Sequence, residues 1–300
     1  MLSGEFAVVT IKKLSECTFL QAVEAWNKGF EGYFFDATTT VDRFITRFAY
    51  EGLSSDLSIV AFHDDQPVGL ILSGVRTIDG KKVAWNGGTG VASAYRKQGV
   101  GREMMKALMA LYEEAGIDVA ILEAFRQNEK AIALYQQMGY EIIDQLLFLQ
   151  NTEAFETNPF ADAKKLPFTV KHGIPQDVRH LSFSDTLHPW QTQWQGVRDG
   201  ESLIVLNADG QEVGYAIYKR SFDESGKPLQ VSLLQCEVRP GHVQADDIVR
   251  LALSHAFAPW DVACKRTTFN LPASKERVVQ SLASAGFTPS MEQVYMRKER

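Results

Sequence analysis

The feature that most constrains the fold of this chain is an internal repeat. The segment LSIVAFHDDQPVG at 57–69 aligns with ESLIVLNADGQEVG at 201–214 at an offset of 145. From Val91 to Gly139 the offset is 147, and two extra residues in the polar loop 221–228 account for the change. Self-similarity of this length predicts two copies of one structural unit; the alternative is two unrelated α/β domains that share generic strand patterns.

Hydrophobic periodicity divides the first copy into alternating helices and strands. The helical patterns cover 17–29, 40–52, 101–115 and 129–139, and the strand patterns cover a hairpin at 57–77 and the segments 81–91, 118–125 and 140–150. The order ααβββαβαβ predicts an α/β fold with a mixed sheet (α+β type). We expect domains at 1–150 and 167–300, because residues 151–166 are polar, contain a proline and lack periodicity, as linkers do.

Composition excludes several classes of function. The net charge of −6 gives no positive field to hold a nucleic acid. Three isolated cysteines and no CxxC argue against a disulfide framework. We also expect no signal peptide, no membrane span and no metal, since the sequence has no 18-residue apolar run and no metal-ligand spacing of its histidines. These features predict a cytoplasmic protein, either a monomer or a homodimer.

The most informative segment is GVASAYRKQGVGREMM at 90–105, in which a strand pattern passes through a loop into an amphipathic helix. It carries Arg-x-x-Gly-x-Gly at 96–101. Glycines let loop N–H groups approach a ligand closely, and N–H groups at a helix N-terminus bind phosphate oxygens. Arg96, Lys97 and Arg102 add positive charge with no acidic residue among them. The pattern predicts a phosphate site, although so short a motif is common by chance.

The segments that follow the loop motif make the prediction of a phosphate site more specific. The loop motif is followed by a strand with LEAFRQN at 122–128 and by A-x-x-LY-x-x-x-GY at 131–140. This arrangement resembles the GNAT superfamily of acetyl-CoA-dependent N-acetyltransferases, in the tandem-domain bacterial form. The resemblance covers residues 5–150, and the second half is similar to a degenerate copy.

The resemblance implies an acetyl-CoA site. Residues that would offer backbone to the pantetheine arm are Val91, Ala92 and Ser93, and those around the pyrophosphate are Arg96, Lys97, Gln98, Gly99, Val100, Gly101 and Arg102. Ser93 departs from the family pattern, in which many members have proline. Asn128 matches an asparagine that contacts CoA, and it is equally suited to cap the following helix.

Two further residues match catalytic positions of the family. Tyr135 would be the general acid that protonates the leaving thiolate; the alternative is a core tyrosine. Glu123, on the outer face of its strand, would be the base that takes a proton from the attacking amine; the alternative is a carboxylate satisfied by an arginine or by solvent. With no nucleophile in the motif, direct attack of the amine on the thioester is expected.

The second copy lacks the residues of this predicted site. The residues that replace Arg96, Gly99, Gly101, Glu123, Asn128 and Tyr135 there are Val243, Asp246, Ile248, Asn270, Lys275 and Leu282. We therefore expect residues 167–300 not to bind acetyl-CoA. The aromatic and acidic segment 27–40 suits a cationic amine acceptor or anchors a core, and Trp190 and Trp194 are further candidates to line a cleft.

The sequence thus predicts an acyltransferase that moves acetyl from acetyl-CoA to a primary amine, in a small molecule or at a protein N-terminus. Another acyl-CoA donor, or a thiol-sugar amine acceptor as in the tandem mycothiol synthases, remains open. A different class of function is an acyl-CoA-binding sensor or interaction module with little turnover.

Overall fold

A computed structural model describes residues 8–153, 155–161, 167–184 and 187–300. The chain forms two compact units. The first reaches Ile142 and takes in the C-terminal residues Met296–Arg300, and the second is Ile143–Tyr295.

The first unit follows the predicted alternation, with one added strand at its start. Its elements are β1 (Thr10–Lys13), α1 (Phe19–Gly29), α2 (Val41–Tyr50), β2 (Ile59–His63), β3 (Gln66–Ile78), β4 (Lys81–Val91), α3 (Val100–Glu114), β5 (Val119–Phe125), α4 (Glu129–Gln137) and the start of β6 (Glu141–Asn151). Strands β1 to β5 lie side by side in chain order, antiparallel except for the parallel pair β4 and β5. The predicted mixed sheet is confirmed.

Helix α1 is set against β4 by local sequence. Thr18 and Gln21 form reciprocal hydrogen bonds at its N-terminus, a capping box that starts the helix. At its other end, a Cβ on Gly29 would lie 2.9 Å from the backbone of Gly90 in β4. Only glycine permits this approach, so the end of α1 and the end of β4 lie together at the edge of the sheet.

The second unit repeats the pattern. Its elements after β6 are β7 (Thr169–Gly173), β8 (Glu201–Leu206), β9 (Glu212–Phe222), β10 (Pro228–Val238), α5 (Ala245–Ala256), β11 (Lys265–Thr268), β12 (Leu271–Pro272), α6 (Glu276–Ser284) and β13 (Thr288–Glu299). Strand β10 begins and ends 147 residues after β4, and α6 stands in the same relation to α4. The repeat is therefore structural. In place of α1 and α2, this unit has short 3-10 helices at Pro175–His180 and Trp190–Thr192.

The boundary between the units differs from the predicted boundary at residue 150. Residues of β6 pair with strands of the second unit, Leu147 with Leu271 and Asn151 with Arg266. The described part of the predicted linker 151–166 also belongs to that unit, because Phe160 is buried in its core. Segments that look like the end of one domain and a linker thus help to build the second unit.

Candidate functional site

The first unit opens where β4 and β5 diverge. Their parallel register runs from Val83 opposite Val119 to Asn86 opposite Leu122. Gly87 is an extra residue in β4 relative to β3, a bulge that bends the strand at this point. Beyond it, a cleft of about 1040 Å³ lies in the first unit. Its lining includes Phe30, Tyr33, Phe34, Thr89, Val91, Tyr95, Gln98, Gly99, Gly101, Asn128, Ala131 and Leu134.

The N-terminus of α3 lines the cleft. Gly99 is the N-cap residue with φ of 83°, and its carbonyl accepts hydrogen bonds from the N–H groups of Arg102 and Glu103. The N–H groups of the first helical residues have no partner within a helix and carry its positive dipole end. Lys97, Arg102, Lys106 and Lys130 line the same region. This arrangement is suited to phosphate groups.

Arg96 lines the cleft, and backbone carbonyls of the neighbouring segments hold its side chain. Its guanidinium donates hydrogen bonds to the carbonyls of Val91 at 2.8 Å, Gly29 at 3.1 Å and Glu31 at 2.9 Å. These bonds tie the loop to the end of α1 and to the end of β4. In this structure Arg96 shapes the wall of the cleft.

The strand end that was expected to face the pantetheine arm is only partly in the cleft. Val91 lines it. Ala92 is buried, and its N–H donates to the Val68 carbonyl at 2.8 Å, while the Ser93 hydroxyl donates to the Glu31 carboxylate at 3.4 Å. A Cβ on Gly101 would contact Val91 and Leu134 at 3.7 and 3.6 Å, so the glycine keeps the cleft open between them.

Asn128 caps a helix and also lies in the wall of the cleft. Its side chain accepts a hydrogen bond from the Ala131 N–H, which caps α4, and it lines the cleft. It also hydrogen-bonds the Tyr33 hydroxyl. Burial raises the pKa of Tyr33, against the effect of this bond, so Tyr33 is a neutral phenol at pH 7.

Tyr135 of α4 is buried. It is 7% exposed, and its ring meets that of Tyr140 edge-on. Burial raises the pKa of Tyr135 to about 12, while the hydrogen bond with Thr89 lowers it. The hydroxyl is therefore protonated at neutral pH, as a general acid must be. Among the described residues, Thr89 lines the cleft and Tyr135 does not.

Glu123 is the first residue of β5 past the end of the parallel register. Its carboxylate accepts a hydrogen bond of 2.6 Å from the indole nitrogen of Trp85, and Trp85 is buried. This partner was not anticipated from the sequence. The bond fixes the carboxylate of Glu123 at the point where β4 and β5 separate.

The segment 27–40 forms an aromatic cluster at the end of β5. The rings of Tyr33, Phe34 and Phe35 lie 5.7, 5.4 and 5.9 Å from the ring of Phe125, centroid to centroid. Phe34 and Phe35 are each half exposed. Tyr33 and Phe34 both line the cleft, so part of this cluster forms its wall.

The corresponding place in the second unit has a smaller cleft, about 540 Å³, with different side chains around it. Glu237 of β10 forms an ion pair of 2.7 Å with Lys275, the counterpart of Asn128. Ile248 and Leu282, which replace Gly101 and Tyr135, are fully buried in the core. Trp190 is buried in the second unit, and Trp194 packs against a core cluster of that unit.

No three side chains among the His, Cys, Asp and Glu residues of the described ranges are placed to hold a metal ion. Of the helices in those ranges, none is both long and apolar enough to cross a membrane.

Comparisons with known proteins agree with this geometry. Residues 19–140 match the model of the acetyltransferase (GNAT) family. No curated protein matched the chain.

Solved structures share the fold over nearly the whole chain. A tandem GNAT protein from the clavulanic acid biosynthesis pathway has a TM-score of 0.61 at 14% identity, covering 97% of this chain and 98% of that one. A GCN5-related N-acetyltransferase from Sphaerobacter thermophilus has a TM-score of 0.61 at 13% identity, covering 97% and 95%. A fungal glucosamine N-acetyltransferase region has a TM-score of 0.68 at 14% identity, covering 97% and 38%. Residues 19–140 are thus similar to the acetyltransferase (GNAT) family, and the chain as a whole shares the fold of a tandem GNAT protein.

Proposed function

We propose that the first unit transfers the acetyl group of acetyl-CoA to a primary amine, of a small molecule or a protein N-terminus, by direct attack in a ternary complex. The observation that carries this proposal is the cleft between the diverging strands. It is lined by the N-terminus of α3 with its basic residues and by Thr89 of β4. The family is one of acetyltransferases, which agrees with that chemistry.

The residues present fit acetyl-CoA. The N–H groups from Gly99 to Gly101, with Lys97 and Arg102, would hold the pyrophosphate, because a helix N-terminus and cationic side chains both favour anions. The strand end at Val91 would take the pantetheine arm. The volume of about 1040 Å³ lies at the upper end of small-molecule sites.

The catalytic roles follow from protonation states. An amine is cationic at pH 7 and must lose a proton before it attacks, and Glu123 would accept that proton. Tyr135 would supply a proton to the departing sulfur, since the raised pKa keeps its hydroxyl protonated. The bound acetyl-CoA supplies a thioester, which reacts with amines without a covalent enzyme intermediate.

The test is thiol release from acetyl-CoA across a panel of amines that includes small amines and short peptides. Tyr135→Phe is expected to lower kcat about 100-fold, the range of a general acid, with little change in KM for acetyl-CoA. Tyr50→Phe, an exposed tyrosine on α2, is the matched control. An unchanged rate in Tyr135→Phe would remove its role as the acid. Binding of acetyl-CoA without release for every acceptor would instead favour a sensor or interaction module.

A further inference from the structure

Trp85 lies near the end of the parallel register of β4 and β5, on the same face of the sheet as Glu123. Trp85 is opposite Ile121, and Glu123 follows Ile121 by two residues, which returns its side chain to that face. The indole N–H donates to Glu123 Oε2 at 2.6 Å. Trp85 is 2% exposed, whereas Glu123 is half-buried. An enclosed donor thus holds a carboxylate that solvent can still reach.

Gly87 makes room for this indole. It is the extra residue of the β4 bulge. A Cβ at this position would lie 2.5 Å from Cζ3 of the Trp85 ring, so a larger residue would displace the ring. The Gly87 carbonyl accepts a hydrogen bond of 2.7 Å from Nη2 of Arg47 on α2. The bulge is therefore fixed against α2 in the conformation that admits the indole.

The second unit shows that the bulge alone does not require glycine. Strand β10 has its extra residue at Leu234, which lies 147 residues after Gly87, the offset of the repeat. The bulge accepts a large side chain there. At the same offset, the counterparts of the indole and of the carboxylate are Ser232 and Asn270. The glycine thus occurs together with the indole and the carboxylate, and all three are replaced together.

We propose that Trp85 is a positioning residue for the general base Glu123, and that Gly87 serves to admit its indole. The proposal rests on the proposed function of the first unit. A hydrogen bond to a carboxylate favours its charged form, and a carboxylate has further lone pairs to accept a proton. The indole therefore keeps Glu123 oriented and ionised, and the proton passes from the amine nitrogen to the carboxylate without involving tryptophan.

The kinetic test compares Trp85→Phe, which keeps an aromatic ring without the N–H, with Trp26→Phe, which removes an indole N–H that donates to the Ala37 carbonyl. In Trp85→Phe we expect kcat at pH 7 to fall about 10-fold, with KM for acetyl-CoA unchanged. The acid limb of the kcat profile should move up by about one pH unit, because the carboxylate loses a bond to its charged form. In Trp26→Phe the limb should stay in place. An unmoved limb in Trp85→Phe, or equal shifts in both variants, would overturn the proposal.

The double variant Trp85→Phe with Glu123→Gln separates positioning from a general effect on structure. Its kcat should equal that of Glu123→Gln alone, since the indole acts only through the carboxylate. Multiplied losses would assign Trp85 a structural role instead. Gly87→Ala should move the acid limb in the same direction as Trp85→Phe, although residue 87 is changed only by a methyl group that displaces the ring.

A second measurement needs no acceptor. The chain has five tryptophans, so ¹⁵N-labelled protein gives five indole signals, and that of Trp85 is assigned by its absence in Trp85→Phe. The Trp85 signal should move in Glu123→Gln and in Gly87→Ala, while that of Trp260 in the second unit should stay in place. A Trp85 signal unmoved in Glu123→Gln would show that the bond is absent, and one unmoved in Gly87→Ala would remove the role of the glycine.

The two measurements together separate this proposal from the proposed function. If the Trp85 signal moves as expected but the wild type releases no CoA with any amine, the proposed function fails while the contact stands. If the wild type turns over and the acid limb of Trp85→Phe matches it, the positioning role alone fails.

Discussion

The two units have nearly the same backbone conformation before α4 and α6, but the side chains and the cleft beside it differ. Asn128 precedes α4 with φ and ψ of −87° and 58°, and Lys275 precedes α6 with −80° and 55°. In the first unit this position borders a cleft of about 1040 Å³. In the second, the Lys275 ammonium is paired with Glu237, and the cleft beside it is about 540 Å³. The fold is preserved by the strand and helix framework, whereas the site depends on a few side chains.

The comparison also shows which residues keep the cleft of the first unit open. Glycines at 99 and 101 leave the helix N-terminus bare, while the second unit has Asp246 and the buried Ile248 at these positions. An acidic residue at a helix N-terminus satisfies the dipole that would otherwise attract a phosphate. We therefore expect the same replacements to prevent phosphate binding and to stabilise the helix N-terminus.

The largest effect is expected when the second unit's residue is placed in the first. Gly101→Ile should raise the Kd for CoA at least about 100-fold, about 2.7 kcal/mol, because a Cβ at this position already contacts Val91 and Leu134 and a longer side chain would fill the space between them. Isothermal titration calorimetry with CoA measures this. Gly101→Ala is the graded control and should cost less than about fivefold. If Gly101→Ile bound CoA like the wild type, the cleft would not be the cofactor site.

The ion pair of the second unit gives the next effect. Lys275→Met leaves Glu237, which is 11% exposed, without its ammonium partner, and because Lys275 is itself 26% exposed we expect a cost of about 2 kcal/mol, below that of a fully buried pair. Burial outweighs the attraction of Lys275 and raises the pKa of Glu237, so the carboxylate is already poorly solvated. Hydrogen exchange of the β10 amides should accelerate accordingly, while that of the β4 amides should not change.

The control for this change is a second ion pair on α6. Arg277 and Asp246 are 60% and 71% exposed, so Arg277→Met should cost less than about 1 kcal/mol. The double variant Lys275→Met with Glu237→Gln should recover part of the loss. Equal effects of Lys275→Met and Arg277→Met would show that burial does not distinguish the two pairs.

Much of the framework could be read from the sequence because the signals are local. Helix α4 and strand β4 were expected within two residues of their observed bounds, from hydrophobic periodicity and from glycines such as Gly139. Strand β1 was missed, since its four residues alternate between exposed and half-buried positions and carry no apolar run. The division of the chain at Ile142 was missed as well, because the partners of β6 lie more than 100 residues away.

The features of the site can also be separated into those with a local sequence signal and those that depend on distant segments. The loop motif and the capping role of Asn128 depend on residues a few positions apart. The bond from Trp85 to Glu123 and the contact of Tyr33 with Asn128 join distant segments, and no local pattern reveals them. Tyr33 could have been suggested only by its place in an unusually aromatic loop.

A buried histidine should make the second unit sensitive to acid. Burial and the nearby Lys275 lower the pKa of His188 to about 3. Below about pH 6.5 the unfolded chain binds a proton at this imidazole and the folded chain does not, so stability falls as the pH drops toward the folded value. One such group costs about 2 kcal/mol between pH 6.5 and 5.

Hydrogen exchange of β10 between pH 7 and 5, corrected for intrinsic rates, measures this loss. Glu237 opposes the trend, because its pKa is raised and the folded state takes up a proton there first. His188→Gln removes only the imidazole, so the difference between wild type and variant isolates its part. A variant with the same acid sensitivity as the wild type would assign the effect to other groups.

The smallest effect concerns Arg96, whose counterpart Val243 is 95% exposed. Since the guanidinium donates to three carbonyls, Arg96→Met should loosen the loop and raise the Kd for CoA about fivefold, about 1 kcal/mol. Arg96→Lys should lose nearly as much, because an ammonium cannot reproduce the planar set of bonds.

The salt dependence of CoA binding should stay that of the wild type in both variants and weaken in Arg102→Met, which removes a charge lining the cleft. A weaker salt dependence in Arg96→Met, together with rescue by lysine, would instead place Arg96 on the phosphates.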